Sequence, residues 1–133
     1  MTSRIPYDAS YHPPAPVVPV GVSALGTNPV MVPMLIDTGA DVTLLPAELV
    51  RQLRLPRVDT IIVSGFGGTK LRSAVHAATL ELGGVQIVAR VVASDEALLG
   101  RDLLSTVVLE LDGPRAALSL RPPPRRRRAR AAP

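Results

Sequence analysis

The 133 residues are enough for one domain with a genuine hydrophobic core and too few for two catalytic lobes. Hydrophobic residues make up 47% of the chain but aromatics only 2%, so the core must be built from Val, Leu, Ala and Ile, which suit closely packed strands in a compact β-rich domain. The absence of cysteine excludes a disulfide framework, a thiol nucleophile and a thiolate metal site. The two widely separated histidines argue against a His-rich metal cluster, and no cofactor is expected.

The formal charge of +4 belongs to the C-terminal end. Six arginines, Arg121, Arg125 to Arg128 and Arg130, lie there; the other nine basic residues stand against eleven acidic ones, which leaves a body of about −2. With no aromatic residues between those arginines, the basic balance describes a tail rather than a nucleic-acid-binding domain. No apolar run reaches the eighteen residues of a membrane span, and the first thirty residues lack a charged start followed by an apolar stretch. The protein therefore reads as soluble, unexported and cytoplasmic.

Residues 1–16, with four prolines, read as a flexible, extended arm in which His12 has no assigned task. Val17 to Ala24 and Val30 to Ile36 read as a hairpin about Leu25-Gly26-Thr27-Asn28-Pro29, and Pro33 implies a bulge or an edge. A short amphipathic helix follows over Leu45 to Leu53, with Pro46 suited to its first position and Pro56 ending it. Arg51, Arg54 and Arg57 read as a solvated helix face and exit loop in preference to a phosphate-binding stripe.

Asp59 to Val63 and Lys70 to Leu82 form the arms of a second hairpin, whose tip, Gly65-Phe66-Gly67-Gly68, can turn tightly and stay mobile. Its glycines are a poor phosphate loop, since neither a Lys-Ser/Thr pair nor a helix signal follows. Gly83-Gly84 separates Ala78 to Leu82 from Val85 to Val92 in a third hairpin, with His76 in a structural place. Leu98 to Leu104 is a buried strand end and a helical turn, and Val107 to Leu111 pairs with Ala116 to Leu120 about Asp112-Gly113-Pro114. Residues 121–133 are a low-complexity Arg/Pro-rich tail expected to be disordered. The domain proper is residues 17–120.

The chemistry is expected where the apolar strand Met34-Leu35-Ile36 runs into Asp37-Thr38-Gly39-Ala40-Asp41. That places a carboxylate at a buried turn, and the glycine permits a backbone conformation or a close approach that a side chain would block. On its own Asp-Thr-Gly reads first as a hydrogen-bonded turn after a core strand, because three-residue motifs recur by chance. Its flanks alter that weighting.

Three segments, in the same order and at similar spacing, resemble the retropepsin-like aspartic proteases: apolar-Asp37-Thr38-Gly39-Ala40, the glycine-rich Val63 to Gly68, and Leu98-Leu99-Gly100-Arg101. The resemblance spans about residues 15 to 120. It implies an all-β fold, a small closed barrel-like retropepsin with one or two short helices, and an active site at a homodimer two-fold axis. It implies an aspartic endopeptidase of extended peptides, with Asp37 from each chain activating water. Thr38 would then hydrogen-bond across the dyad and Gly39 would let the two loops approach. Ala40 and Asp41 would line the substrate groove beneath a flap of Gly65, Phe66, Gly67 and Gly68, with Phe66 covering the peptide. Leu99, Gly100 and Arg101 would support the dimer and the site, Arg101 by pairing with Asp41.

The sequence departs from the viral pattern at Asp102, where asparagine is frequent, which adds an acid near the expected interface. Two other readings stay open: a noncatalytic dimerisation or peptide-binding module of the same fold, and a tail that binds nucleic acid or an anionic surface.

Overall fold

Val32, Met34 and Ile36 are buried while Met31 and Pro33 are exposed, and this alternation makes Val30–Ile36 a half-buried strand. In the computed structural model, which describes residues 4–125 except the side chain of Phe66, that strand is the third of ten. The strands are β1 (Arg4–Pro6), β2 (Val17–Ser23), β3 (Val30–Ile36), β4 (Leu44–Pro46), β5 (Arg57–Ser64), β6 (Lys70–Leu82), β7 (Val85–Ser94), β8 (Leu98–Leu99), β9 (Val108–Asp112) and β10 (Ala117–Arg121). Two short helices, α1 (Ala47–Gln52) and α2 (Arg101–Leu104), interrupt them.

Seven strands form one sheet in the order β2-β3-β8-β4-β7-β6-β5, and a further pairing of β2 with β6 closes it on itself. β3 meets β8 in parallel, and β4 meets β7 in parallel, so the two segments that follow an apolar strand end lie side by side. The closed sheet surrounds a core of aliphatic side chains in which Val18, Val20, Met34, Leu45, Leu80 and Leu99 are fully buried. Each such side chain contributes on the order of 2 kcal/mol through removal from water. The all-β expectation holds, with two short helices.

Pro33 sits directly opposite Pro19 in an unbroken register, and β8 reaches only Leu35 and Ile36. The missing N–H of Pro33 therefore falls at a free edge and not at a bulge. Pro46 ends β4 and caps α1 from outside, with ψ at 131°, instead of occupying its first helical position.

The N-terminal arm is more tightly held than its prolines suggest. Arg4–Pro6 pairs with β10, Tyr7 N–H donates to Ala116 O at 2.8 Å, and Asp8 pairs with Ala15. The resulting three-stranded sheet, β1-β10-β9, lays Ile5, Leu109, Leu118 and Leu120 on the core. Arg121, assigned to the tail, ends β10 and lies 3.5 Å from Glu110. Residues 122–125 of the expected disordered tail carry no helix or strand, and the tail from residue 126 onward lies outside the described residues. Among the described residues no helix is long and apolar enough to cross a membrane.

Candidate active site

β3 ends at Ile36 because β8 stops beside it: Leu35 N–H donates to Ala97 O, and Asp37 N–H to Leu99 O at 3.0 Å. The chain then turns sharply, with Ala40 N–H bonded to Asp37 O at 3.2 Å. Asp37 Oδ1 accepts the N–H of Gly39 at 2.9 Å, which fixes the carboxylate over its own loop. A Cβ at residue 39 would lie 3.2 Å from that oxygen, so a side chain there would crowd the carboxylate and push it a few tenths of an ångström aside. Asp37 is half-buried, but Thr38 and Gly39 are exposed, so the turn is a surface feature of the single chain and not the buried one expected from its apolar flanks.

A segment distant in sequence braces this loop. Arg101 donates from Nη1 to Thr38 O at 2.7 Å and from Nη2 to Asp41 Oδ1, while its own N–H bonds Ala40 O at 2.8 Å. Gly100 packs so closely that an added Cβ would lie 2.4 Å from Val42 O. Leu99 is fully buried behind the loop. The expected Arg101–Asp41 pair is thus present, with both side chains largely exposed in the single chain.

In front of Asp37 is a cavity of about 810 Å³. Gly39, Ala40 and Asp41 line it on one side, and the β5–β6 hairpin, through Ile61 to Gly65, lines it on the other. The hairpin tip, Phe66–Gly68, is a tight turn and not a true helix, since Gly67 and Gly68 have φ of 76° and 78°. Gly65 N–H bonds Thr69 O across the tip at 2.8 Å. Gly65 therefore shares the cavity with Asp37, whereas Thr38, Gly67 and Gly68 do not line it. The side chain of Phe66, expected to cover a peptide, lies outside the described residues.

Several relevant residues were not singled out from the sequence. Val42 and Leu44 give the cavity an apolar wall together with Leu98 of the Leu-Leu-Gly segment, and the apolar residues just after Asp37 could have indicated the first two. Asp102 does not act as a free acid at the surface: it accepts the Thr43 hydroxyl at 2.8 Å and its N–H at 3.3 Å. The two residues are 59 positions apart, and no local pattern links them. Among the described residues no cluster of three or more His, Cys, Asp or Glu side chains could hold a metal. His76 lies mid-strand in β6 with its Nδ1 buried and without a hydrogen-bond partner among the described residues.

The sequence profile described as gag-polyprotein putative aspartyl protease matches residues 24–106, more than half of the chain and the whole of this loop, hairpin and brace. The chain belongs to that aspartyl protease family. A direct comparison with curated proteins finds no match.

Among solved structures, the fold of this family member is similar to a retropepsin-like aspartic protease from Rickettsia conorii. That likeness has 20% identity and a TM-score of 0.59, over 90% of this chain and 91% of that one. It is also similar to EIAV protease complexed with the inhibitor HBY-793, at 24% identity and a TM-score of 0.55, over 76% of this chain and 92% of that one. These likenesses establish a retropepsin-like fold.

Proposed function

We propose that this aspartyl protease family member is an aspartic endopeptidase, active as a homodimer, that hydrolyses extended polypeptides in the cavity between Asp37 and the β5–β6 hairpin. The carrying observation is that Asp37, held by the Gly39 N–H, and Gly65 at the hairpin tip line one cavity of about 810 Å³. Residues 17–120 form the protease domain in this reading.

Water attack on a peptide carbonyl calls for a base to take the proton of the water and an acid to polarise the carbonyl oxygen. One carboxylate cannot serve as both at the same moment. Two Asp37 side chains related by a two-fold axis can, because like charges a few ångströms apart share one proton. The ionised Asp37 takes a proton from the water as its oxygen bonds to the carbonyl carbon. The protonated Asp37 hydrogen-bonds the carbonyl oxygen and then supplies the proton that the departing nitrogen needs. The exposed Thr38 and Gly39 are the surface through which the two loops meet, each carrying its Arg101 brace.

Ala40 and Asp41 line the groove in which the peptide main chain lies, under the hairpin as a flap. The paired positive-φ glycines at its tip provide the movement a lid requires. No cofactor takes part.

Subunit mixing tests the reading. When wild-type chain is mixed with an equal amount of Asp37→Asn chain and allowed to re-pair, specific activity per total chain falls to about one quarter of the unmixed value, as expected for random pairs that need both carboxylates. Activity that tracks the amount of wild-type chain alone would contradict a shared dyad.

A further inference from the structure

The loop that carries Asp37 is anchored differently at its two ends. The Asp37 end is tied by backbone bonds and by Arg101, through Leu99 O and Thr38 O. At the far end Thr43 is fully buried, and its polar side-chain atom is committed to the Gly100–Asp102 segment. Its hydroxyl donates to Asp102 Oδ1 at 2.8 Å and accepts the Gly100 N–H at 3.1 Å, while its own N–H donates to Asp102 Oδ2 at 3.3 Å. Asp102 Oδ1 also accepts the Leu103 N–H at 2.9 Å. One carboxylate thus grips both the side chain and the backbone of Thr43, and charge-assisted bonds of this kind are stronger than neutral ones. Between the two ends runs Gly39 to Val42, all four residues of which line the cavity; Arg101 also meets this span at Ala40 O and Asp41 Oδ1, whereas Val42 leads directly into the Thr43 anchor.

We infer that Asp102 is a positioning residue for substrate: by clamping Thr43 it sets the depth and angle at which Ala40, Asp41 and Val42 meet an extended peptide, without touching the peptide itself. This rests on the proteolytic reading of Asp37 given above. The acid is matched to its partner. An asparagine could keep a carbonyl oxygen toward the Thr43 hydroxyl and the Leu103 N–H, but its NH₂ group would then face the Thr43 N–H, two donors opposed. Because Asp37 has its own separate bonds, loosening the Thr43 anchor acts on the groove and leaves the carboxylate in place.

The test is steady-state kinetics on one cleaved peptide for wild type, D102N, T43V and T43S, together with amide hydrogen exchange over residues 40–43 in the same proteins. D102N and T43V raise KM by about three- to tenfold with kcat within about twofold of wild type, and they speed exchange at Val42 and Thr43. T43S, which keeps the hydroxyl, reverses most of the rise in KM caused by T43V. A fall in kcat at unchanged KM would place Asp102 behind the reacting carboxylate and overturn the inference. So would a lower melting temperature with both kinetic constants unchanged, which would make the residue merely structural. If D102N does not fold, the comparison of T43V with T43S decides the matter. If wild type cleaves no peptide, the proteolytic reading fails separately, and unchanged protection of residues 40–43 in D102N would reject the clamp on its own terms.

Discussion

Arg101 holds Thr38 and Asp41 with one guanidinium: Nη1 donates to the Thr38 carbonyl at 2.7 Å and Nη2 to the Asp41 carboxylate, across 63 and 60 residues of sequence. The fork spans the turn that carries Asp37 and ties both of its sides to α2. In the single chain both side chains of the ion pair are largely exposed, and exposed pairs contribute only about 0–1 kcal/mol. The value of the pair lies in geometry more than in stability.

Arg101→Ala is therefore expected to leave the unfolding midpoint of the chain nearly unchanged while lowering peptide cleavage by about 10²-fold or more, since small displacements of reacting groups are that costly. Arg101→Lys does not rescue it, because a lysine point charge cannot bond two acceptors in a fixed fork. Parallel thermal melts and cleavage rates check both statements. Cleavage restored to wild type by lysine would mean that charge alone suffices.

Gly100→Ala should act through packing. Its Cβ would lie 2.4 Å from Val42 O and 2.5 Å from Val42 C, and those are backbone atoms that cannot swing aside. Destabilisation of about 3 kcal/mol or more is expected from such overpacking, read by denaturant unfolding. A shift below about 1 kcal/mol would show that the loop can move off α2 at little cost.

His76 predicts a pH dependence of stability. Burial, and secondarily the Arg57 guanidinium, lower its pKa below the ordinary 6.5. The unfolded chain then binds a proton more readily than the folded one, so stability rises with pH across this range. The contribution is complete above pH 6.5 and is lost as pH falls through that value toward the lowered one. Denaturation midpoints between about pH 5 and 8 should fall more steeply on acidification for wild type than for His76→Leu, which has no proton to gain. Parallel curves for the two proteins would contradict it.

Gly67→Ala and Gly68→Ala place a side chain at φ of 76° and 78°, where nothing lies within 4 Å to clash. The penalty is therefore conformational, about 1 kcal/mol, and it falls on the hairpin tip. The expected result is a several-fold lower kcat with a small change in melting temperature, because a stiffer tip opens and closes less readily. Unaltered turnover would remove the tip from the catalytic cycle.

Local patterns carried much of this structure. The apolar run Val30 to Ile36 after its Gly-Thr-Asn-Pro turn, the two glycine turns at Gly65–Gly68 and Gly83–Gly84, and the Leu-Leu-Gly before α2 are each written in consecutive residues. Each of these segments has the secondary structure read from its own residues. What could not be read depends on register between distant segments. Arg4–Pro6 pairing with Ala117–Ser119, the closure of β2 on β6, and the parallel seating of β4 beside β7 are set by how the core packs, and no local periodicity encodes them. The same applies to the site: Asp37, Gly39 and the Arg101 brace were legible from motif order, whereas the bond between Thr43 and Asp102 joins two residues that have no shared pattern. Asp102 could be noticed from the sequence only as an unexpected acid.

The most direct test of the account is cleavage of an unbiased peptide library by wild type and by Asp37→Asn, each first shown to be folded and dimeric. Wild type is expected to cleave, and the substitution to abolish cleavage with the fold and the dimer intact. Stable dimers of both proteins with no cleavage by either, or equal cleavage by both, would contradict it.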